Sequence, residues 1–252
     1  MIGMRIFGLH AARTALEHVP EQTRRAWLNR SPDRKLLALR ERLEALDIPV
    51  ETTDRKRLDR LADSSHHQGI VLEVVLPPEK GERELEERLS ATEKPLFLVL
   101  DQVQDPHNLG ACLRTADATG VTGVIVPKDR TVGLTPTVYK VACGGAETVP
   151  IYRVTNLTRT LRRLKEAGVW IAGAAGEAEE VAFEADLKGS LALVLGAEGR
   201  GLRRLTRQCC DFLVKLPMAG SVESLNLSVA AGVLLYEVLR QREMKNSDLE
   251  CV

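Results

Sequence analysis

Three short segments combine polar side chains with glycine and other small residues, and each follows an apolar run that resembles a buried strand. They cover residues 105–116, 195–201 and 217–228. The polar side chains in them that could do chemistry are Asn108, Arg114, Glu198, Ser224 and Asn226. Glycine at the end of a strand lets the backbone bend sharply or pass close to a ligand. The three segments therefore predict one site that is built from loops.

Arg114 carries the clearest chemical signal in the first segment. It lies in a predicted helix beside Leu113 and near Ala116, where a guanidinium is unexpected unless an anion or the edge of a site receives it. The planar fork of arginine suits a phosphate because it donates two parallel hydrogen bonds. Asn108 has a simpler alternative, since it stands where it could cap the N-terminus of the same helix.

The second segment places Gly196, Gly199 and Gly201 directly after an apolar strand, with Glu198 among them. This spacing differs from the G-x-G-x-x-G turn of dinucleotide-binding folds, which follows the first strand of its domain and not a late one. A nicotinamide dehydrogenase is therefore disfavoured. An ordinary tight turn between a strand and a helix remains an alternative for this segment.

The third segment leads into the last helix, which is predicted to run from about Ser224 to Arg242. Ser224 could cap that helix, which would leave Ser224 and Asn226 at a junction that faces a cavity. Apolar residues at near-helical spacing predict the side of the helix that faces the core. They are Leu225, Val229, Val233 and Tyr236.

The elements around these segments predict two α/β domains. Residues 1–76 alternate short strands and helices. Residues 77–94 are interpreted as a linker because they open with prolines, a glycine and charges, and a polar helix is predicted within it over residues 82–94. Between residues 95 and 243 strands alternate with helices, which predicts a mostly parallel sheet covered on both faces. Residues 244–252 form a polar tail.

The composition is that of a globular protein without a membrane span. The 252 residues include 35 basic and 35 acidic side chains, so the net charge alone does not indicate a nucleic-acid partner. No apolar stretch reaches the roughly 18 residues of a membrane helix, and the N-terminus lacks the pattern of a signal peptide. We therefore expect a cytoplasmic protein. The five cysteines lack a C-x-x-C pair, so we expect reduced thiols and no metal site.

In this order, the three segments resemble those of the SpoU/TrmH family of RNA ribose 2′-O-methyltransferases. The resemblance covers essentially the whole chain. Residues 95–243 are similar to the SPOUT methyltransferase domain, which implies a parallel sheet whose C-terminal part forms a trefoil knot. The segments around Phe7–Ala11 and His66–Ile70 resemble the L30e-like RNA-binding domain that is joined to these enzymes. Within the family, the chain is similar to enzymes that methylate a guanosine ribose in 23S rRNA.

The resemblance implies a homodimer that uses S-adenosylmethionine to methylate ribosomal RNA. The catalytic positions that it implies are Asn108, Arg114, Glu198, Ser224 and Asn226. The cofactor-binding positions that it implies are Gly173, Gly176, Gly196, Gly199, Leu216, Met218, Ser224 and Leu225. A guanidinium stays protonated in proteins, so Arg114 is expected to bind a phosphate or to stabilise charge on the 2′ oxygen rather than to act as a base.

Two alternatives remain from the sequence. A tRNA ribose 2′-O-methyltransferase of the same family would share all three segments, although the N-terminal domain favours ribosomal RNA. A non-catalytic RNA-binding protein could keep the fold, but the intact set of polar side chains argues against it. The sequence does not identify the nucleotide that is methylated.

Overall fold

The structure of the chain is a computed structural model that describes residues 3–30, 33–75, 80–197 and 199–243. It consists of two compact units. The first holds the described residues up to Val75 together with Leu134–Thr148, and the second holds the remainder from Lys80 onwards. The second unit therefore begins before Pro95, the boundary predicted from the sequence. The reason is a helix within the predicted linker that buries Leu85 in the core of the second unit.

The order of elements largely follows the prediction. In the first 75 residues they are β1 (Gly3–Phe7), α1 (Leu9–His18), β2 (Thr23–Asn29), α2 (Arg34–Ala45), β3 (Val50–Thr53), α3 (Arg55–Ala62) and β4 (Ile70–Val75). From residue 80 to residue 154 they are α4 (Glu82–Ser90), β5 (Leu96–Leu100), α5 (Pro106–Ala118), β6 (Gly123–Pro127), α6 (Pro136–Ala142), α7 (Gly145–Thr148) and β7 (Ile151–Val154). The others are α8 (Leu157–Glu166), β8 (Trp170–Ala174), β9 (Glu180–Val181), β10 (Leu191–Leu195), α9 (Arg204–Cys209), β11 (Phe212–Lys215) and α10 (Leu227–Glu243). The sequence analysis missed β1, α7, β9 and α9, which are too short to give a clear periodicity.

In the first unit the described strands form a mixed sheet in the order β1-β4-β2-β3. Strand β4 runs antiparallel to both of its neighbours, while β2 and β3 are parallel. Trp27, Leu58 and Val71 are buried together on one face of this sheet. The small α/β domain predicted for the N-terminal part of the chain is confirmed.

In the second unit the described strands form a sheet in the order β7-β6-β5-β10-β8-β11-β9, and every pair in it is parallel. Strands β5, β6 and β10 are buried along their whole length, which explains their continuous apolar sequences. The parallel sheet predicted from alternating strands and helices is confirmed. The trefoil knot implied by the resemblance stays a prediction.

The last helix differs from the prediction in both its start and its buried side. It begins at Leu227 instead of Ser224, and its core-facing side is formed by Ala231, Leu234, Leu235 and Val238. The side predicted to face the core is exposed instead. Its members are Leu225 (36% exposed), Val229 (50%), Val233 (36%) and Tyr236 (54%). Helix α10 carries apolar residues on two sides, so periodicity alone could not decide which side packs against α5 and β10.

The described residues contain no helix that is both long and apolar enough to cross a lipid bilayer. Their cysteines, Cys112, Cys143, Cys209 and Cys210, are all free thiols. Burial raises the pKa of the thiols of Cys112 and Cys210 to about 12. Within these residues, no group of three or more His, Cys, Asp or Glu side chains is placed to hold a metal ion.

Candidate active site

A cavity of about 620 Å³ opens at the carboxyl edge of the parallel sheet in the second unit. It is lined by the loops that follow β8, β10 and β11, together with the first turns of α10. Ligands commonly bind at this edge of parallel α/β sheets, and the volume lies within the usual range for small-molecule sites. The cavity is therefore the candidate site for a small ligand.

The loop after β10 forms one wall of the cavity through a tight glycine turn. A Cβ atom on Gly196 would lie 2.0 Å from the carbonyl carbon of Gly201, so a side chain at Gly196 would collide with the backbone. Gly199 and Gly201 have φ values of 72° and 62°, in the left-handed region that glycine adopts most easily. The amide of Gly201 donates to the carbonyl of Ala197 at 2.9 Å and closes the turn.

Most of the predicted cofactor-binding residues line this cavity. They are Gly176, Gly196, Gly199, Leu216, Met218, Ser224 and Leu225. Gly173 does not line it but lies within β8, where a Cβ atom would come within 2.7 Å of the side chains of Cys210 and Leu213. The glycine at this position thus allows close packing of β8 against its neighbours.

Two of the predicted catalytic residues meet directly. Asn226 donates through Nδ2 to Oδ1 of Asn108 at 3.0 Å, although the two residues are 118 positions apart in sequence. Asn108 is buried inside α5 and does not cap it, because Asp105 is the capping residue and accepts from the amide of His107 at 2.8 Å. The prediction that Asn108 could serve as the cap was wrong.

Asn226 also takes the capping role that the sequence analysis gave to Ser224. Its Oδ1 accepts from the amide of Ser228 at 2.9 Å and from the hydroxyl of the same residue at 2.7 Å. Ser224 lies before the helix, is exposed, and lines the cavity. The loop is thus longer than predicted, and its extra residues form part of the cavity wall.

Arg114 is exposed on α5 and is not among the described residues that line the cavity. An α-helix turns about 100° per residue, so Arg114 lies about 120° around the axis from Asn108. The neighbouring side chains of Leu113 and Ala116 are buried, but they face the core on another side of the helix. Glu198, the remaining predicted catalytic residue, lies outside the described residues.

The sequence analysis missed several charged residues that line the cavity or lie behind its wall. Asp101 follows β5 and is buried, and it contacts the side chains of Arg203 and Thr206. Arg207 forms an ion pair with Glu177, and both of these residues line the cavity. A carboxylate directly after a buried strand is the signal that could have pointed to Asp101.

Two family models match the chain. The model described as the SpoU rRNA Methylase family matches residues 95–236. The model described as RNA 2'-O ribose methyltransferase substrate binding matches residues 5–79. The first match alone spans more than half of the chain and contains all three loops of the cavity.

The chain is similar over nearly its full length to enzymes named 23S rRNA (guanosine-2'-O-)-methyltransferase RlmB. It is 55% identical to the one from Shewanella oneidensis, over 94% of this chain and 97% of the relative. It is 53% identical to the one from Pseudomonas putida, over 96% and 98% of the two chains. Its fold is similar to the crystal structure of the SpoU methyltransferase AviRb from Streptomyces viridochromogenes in complex with AdoMet, with a TM-score of 0.81 and 25% identity over 96% of this chain and 91% of that one.

Proposed function

Since this chain belongs to the SpoU rRNA methylase family, we propose that it methylates the ribose 2′-hydroxyl of a guanosine in 23S rRNA with S-adenosylmethionine as donor. The observation that carries the proposal is the identity of 53–55% to relatives of that name over almost the entire chain. The match of residues 5–79 to a substrate-binding model for the same reaction supports RNA as the substrate.

The cavity of the second unit fits the proposed cofactor. Leu202, Leu216 and Leu225 offer apolar surface for an adenine ring, and the glycine turn brings backbone polar groups to the wall. When bound, S-adenosylmethionine supplies a methyl carbon made electrophilic by the adjacent sulfonium. The loops then position that carbon, and positioning is the main contribution that a displacement of this kind requires.

The protein side chains would hold the RNA and manage the charge on the 2′ oxygen. Arg114 is proposed to bind the neighbouring phosphate or to stabilise the developing oxyanion, which suits a permanently charged fork. Asn108 and Asn226 hold the N-terminal ends of α5 and α10 together. Ser224 lines the cavity, and its hydroxyl is proposed to face the cofactor. The proposal also assigns a catalytic role to Glu198, on the ground of the resemblance to the family alone.

The proposal includes a homodimer that packs through α10. Val229, Val233 and Tyr236 form an exposed apolar stripe at positions i, i+4 and i+7 of this helix. Gly232 lies on the same part of α10 and close to α5. A Cβ atom added at Gly232 would be 3.9 Å from the side chain of Thr115, the residue that follows Arg114. A second copy on this stripe would therefore lie next to Arg114, which could reach the cavity of the partner subunit.

A methyl-transfer assay with tritiated S-adenosylmethionine tests the function. Transcripts of 23S rRNA and of tRNA are offered separately, and labelled nucleosides are identified after digestion. The proposal predicts label in the ribose of guanosine from 23S rRNA. Label in tRNA alone would favour the tRNA alternative, and no label in either RNA would favour a non-catalytic RNA-binding protein.

The proposal also includes a location for the protein. It places the protein in the cytoplasm, where ribosomal RNA is found.

A further inference from the structure

We propose that Asp101 is a positioning residue that holds the loop after β10 in the conformation that binds the cofactor. The inference rests on the proposed function, because it assumes that the cavity takes S-adenosylmethionine. Asp101 does not line the cavity itself. Its influence would pass through Arg203 and Thr206, which follow the glycine turn in sequence.

The carboxylate of Asp101 is completely buried and receives contacts from two side chains. The hydroxyl of Thr206 donates to Oδ2 at 2.8 Å, and Nε of Arg203 donates to the same oxygen at 3.0 Å. Nη2 of Arg203 also lies 2.6 Å from Oδ1. These two groups form an ion pair, but their geometry does not make a hydrogen bond. Charge-assisted hydrogen bonds of this kind are shorter and stronger than neutral ones.

These contacts link the loop to the rigid centre of the sheet. The amide of Asp101 donates to the carbonyl of Leu195 at 2.8 Å, so the carboxylate lies where β5 and β10 end side by side. Arg203 precedes the first residue of α9, and Thr206 is buried within that helix. The carboxylate of Asp101 therefore holds the C-terminal end of the loop after β10, and the bond to Leu195 holds its N-terminal end.

The loop between these two points is the part of the chain that touches the cavity. Gly199, Arg200 and Leu202 line it, and Arg207 of α9 lines it as well. Among the described residues of the loop, the amides of Arg200 and Gly201 both donate to the carbonyl of Ala197, at 3.3 and 2.9 Å. Glycine is conformationally permissive, so a loop with three glycines needs an outside contact to keep one shape. The Asp101 carboxylate supplies that contact.

The test uses two variants that leave Asp101 in place. Thr206→Val removes one donor and keeps the shape of the side chain, and Arg203→Lys keeps the charge but removes the fork. The matched control is Thr160→Val, because Thr160 is also buried and its hydroxyl donates to the carbonyl of Asn156, the residue that caps its own helix, α8. The affinity for S-adenosylmethionine is measured by calorimetry, the melting temperature by circular dichroism, and KM and kcat by methyl transfer.

A positioning role predicts that Thr206→Val weakens cofactor binding about fivefold and Arg203→Lys about tenfold. KM for the cofactor should rise to match, kcat at saturating cofactor should change little, and Thr160→Val should bind like the unmodified chain. Unchanged affinity in both test variants, with only a lower melting temperature, would overturn the inference and leave the proposed function standing. Failure of the unmodified chain to bind S-adenosylmethionine would overturn the proposed function as well.

Discussion

The side-chain amide of Asn226 donates to the side-chain oxygen Oδ1 of Asn108 at 3.0 Å, and this bond joins the N-terminal ends of α10 and α5. Asn226 uses its other end to cap α10 through the amide of Ser228. A carboxamide is needed for both tasks, because it offers a donor and an acceptor at once. The bond brings two of the three sequence segments into direct contact.

Removal of either asparagine should uncouple the two helices. We expect Asn108→Ala and Asn226→Ala each to lower the free energy of unfolding by about 1 kcal/mol, since each removes the hydrogen bond between the two side chains. The double variant should be less unstable than the sum of the single ones, with a coupling energy of about 1 kcal/mol. Urea unfolding of all four proteins measures this coupling. Strict additivity would show that the bond contributes nothing to stability.

The close approach of Gly196 to Gly201 should make the first of these positions intolerant of any side chain. In Gly196→Ala the new Cβ atom would overlap the backbone of Gly201, so the loop must move into the cavity or away from it. We expect cofactor affinity to fall about tenfold or more, equivalent to about 1.4 kcal/mol or more. Gly189→Ala is the control, because a Cβ atom there meets nothing within 4 Å. Equal affinities of the two variants in calorimetry would contradict this account of the turn.

Arg114 should be needed for turnover but not for cofactor binding, since it does not line the cavity of its own subunit. We expect Arg114→Ala to abolish methyl transfer and Arg114→Lys to fail as well, because an ammonium cannot replace the planar fork. Both variants should bind S-adenosylmethionine normally in calorimetry. Arg162→Ala, which removes another exposed arginine from a helix of the same unit, serves as control and should stay active. Loss of cofactor affinity in the Arg114 variants would refute the assignment.

The apolar stripe on α10 should hold two copies of the chain together. A charge in its middle, Val233→Glu, would be buried without a partner in such an interface and should convert the dimer to a monomer. Sedimentation velocity at micromolar concentration measures the change. Leu37→Glu places the same charge on an exposed leucine of the first unit, and it should leave the dimer intact. A monomeric unmodified chain would exclude this mode of assembly.

The buried cysteines should be chemically inert in the native protein. Burial raises the pKa of Cys112 and Cys210 to about 12, so both stay in the protonated, unreactive form at about pH 8. Alkylation with iodoacetamide, read by peptide mapping, should modify Cys143 before Cys112, because Cys143 is half-buried and Cys112 is buried. Rapid modification of Cys112 without denaturant would show that the packing around α5 opens readily.

Much of the fold could be predicted from local patterns. The strands Leu96–Leu100 and Leu191–Leu195 are apolar at every position, which is typical of strands buried on both faces of a parallel sheet. The helix over residues 157–166 shows a one-sided apolar pattern, and it ends before Gly168 as predicted. Such signals are local, so a single sequence is enough to find them.

The errors concern features that depend on contacts between distant segments. The periodicity of α10 is compatible with either of two apolar sides, and only the packing of α5 against one of them decides which is buried. The sequence suggests Asn108 as the cap of α5, because asparagine commonly caps helices. Its actual partner, Asn226, lies 118 positions away in the sequence, so local patterns do not reveal the bond between them. Asp101 was overlooked for the same reason, since its partners lie more than 100 positions further along the chain.

The methylation state of ribosomal RNA in cells tests the central claim most directly. Ribose 2′-O-methylation is mapped across 23S rRNA from cells with the gene, from cells without it, and from deleted cells that carry either the intact gene or the Arg114→Ala variant. The account predicts that one guanosine loses its methyl group on deletion, regains it with the intact gene, and stays unmethylated with the variant. Identical methylation of 23S rRNA in all four strains would contradict it.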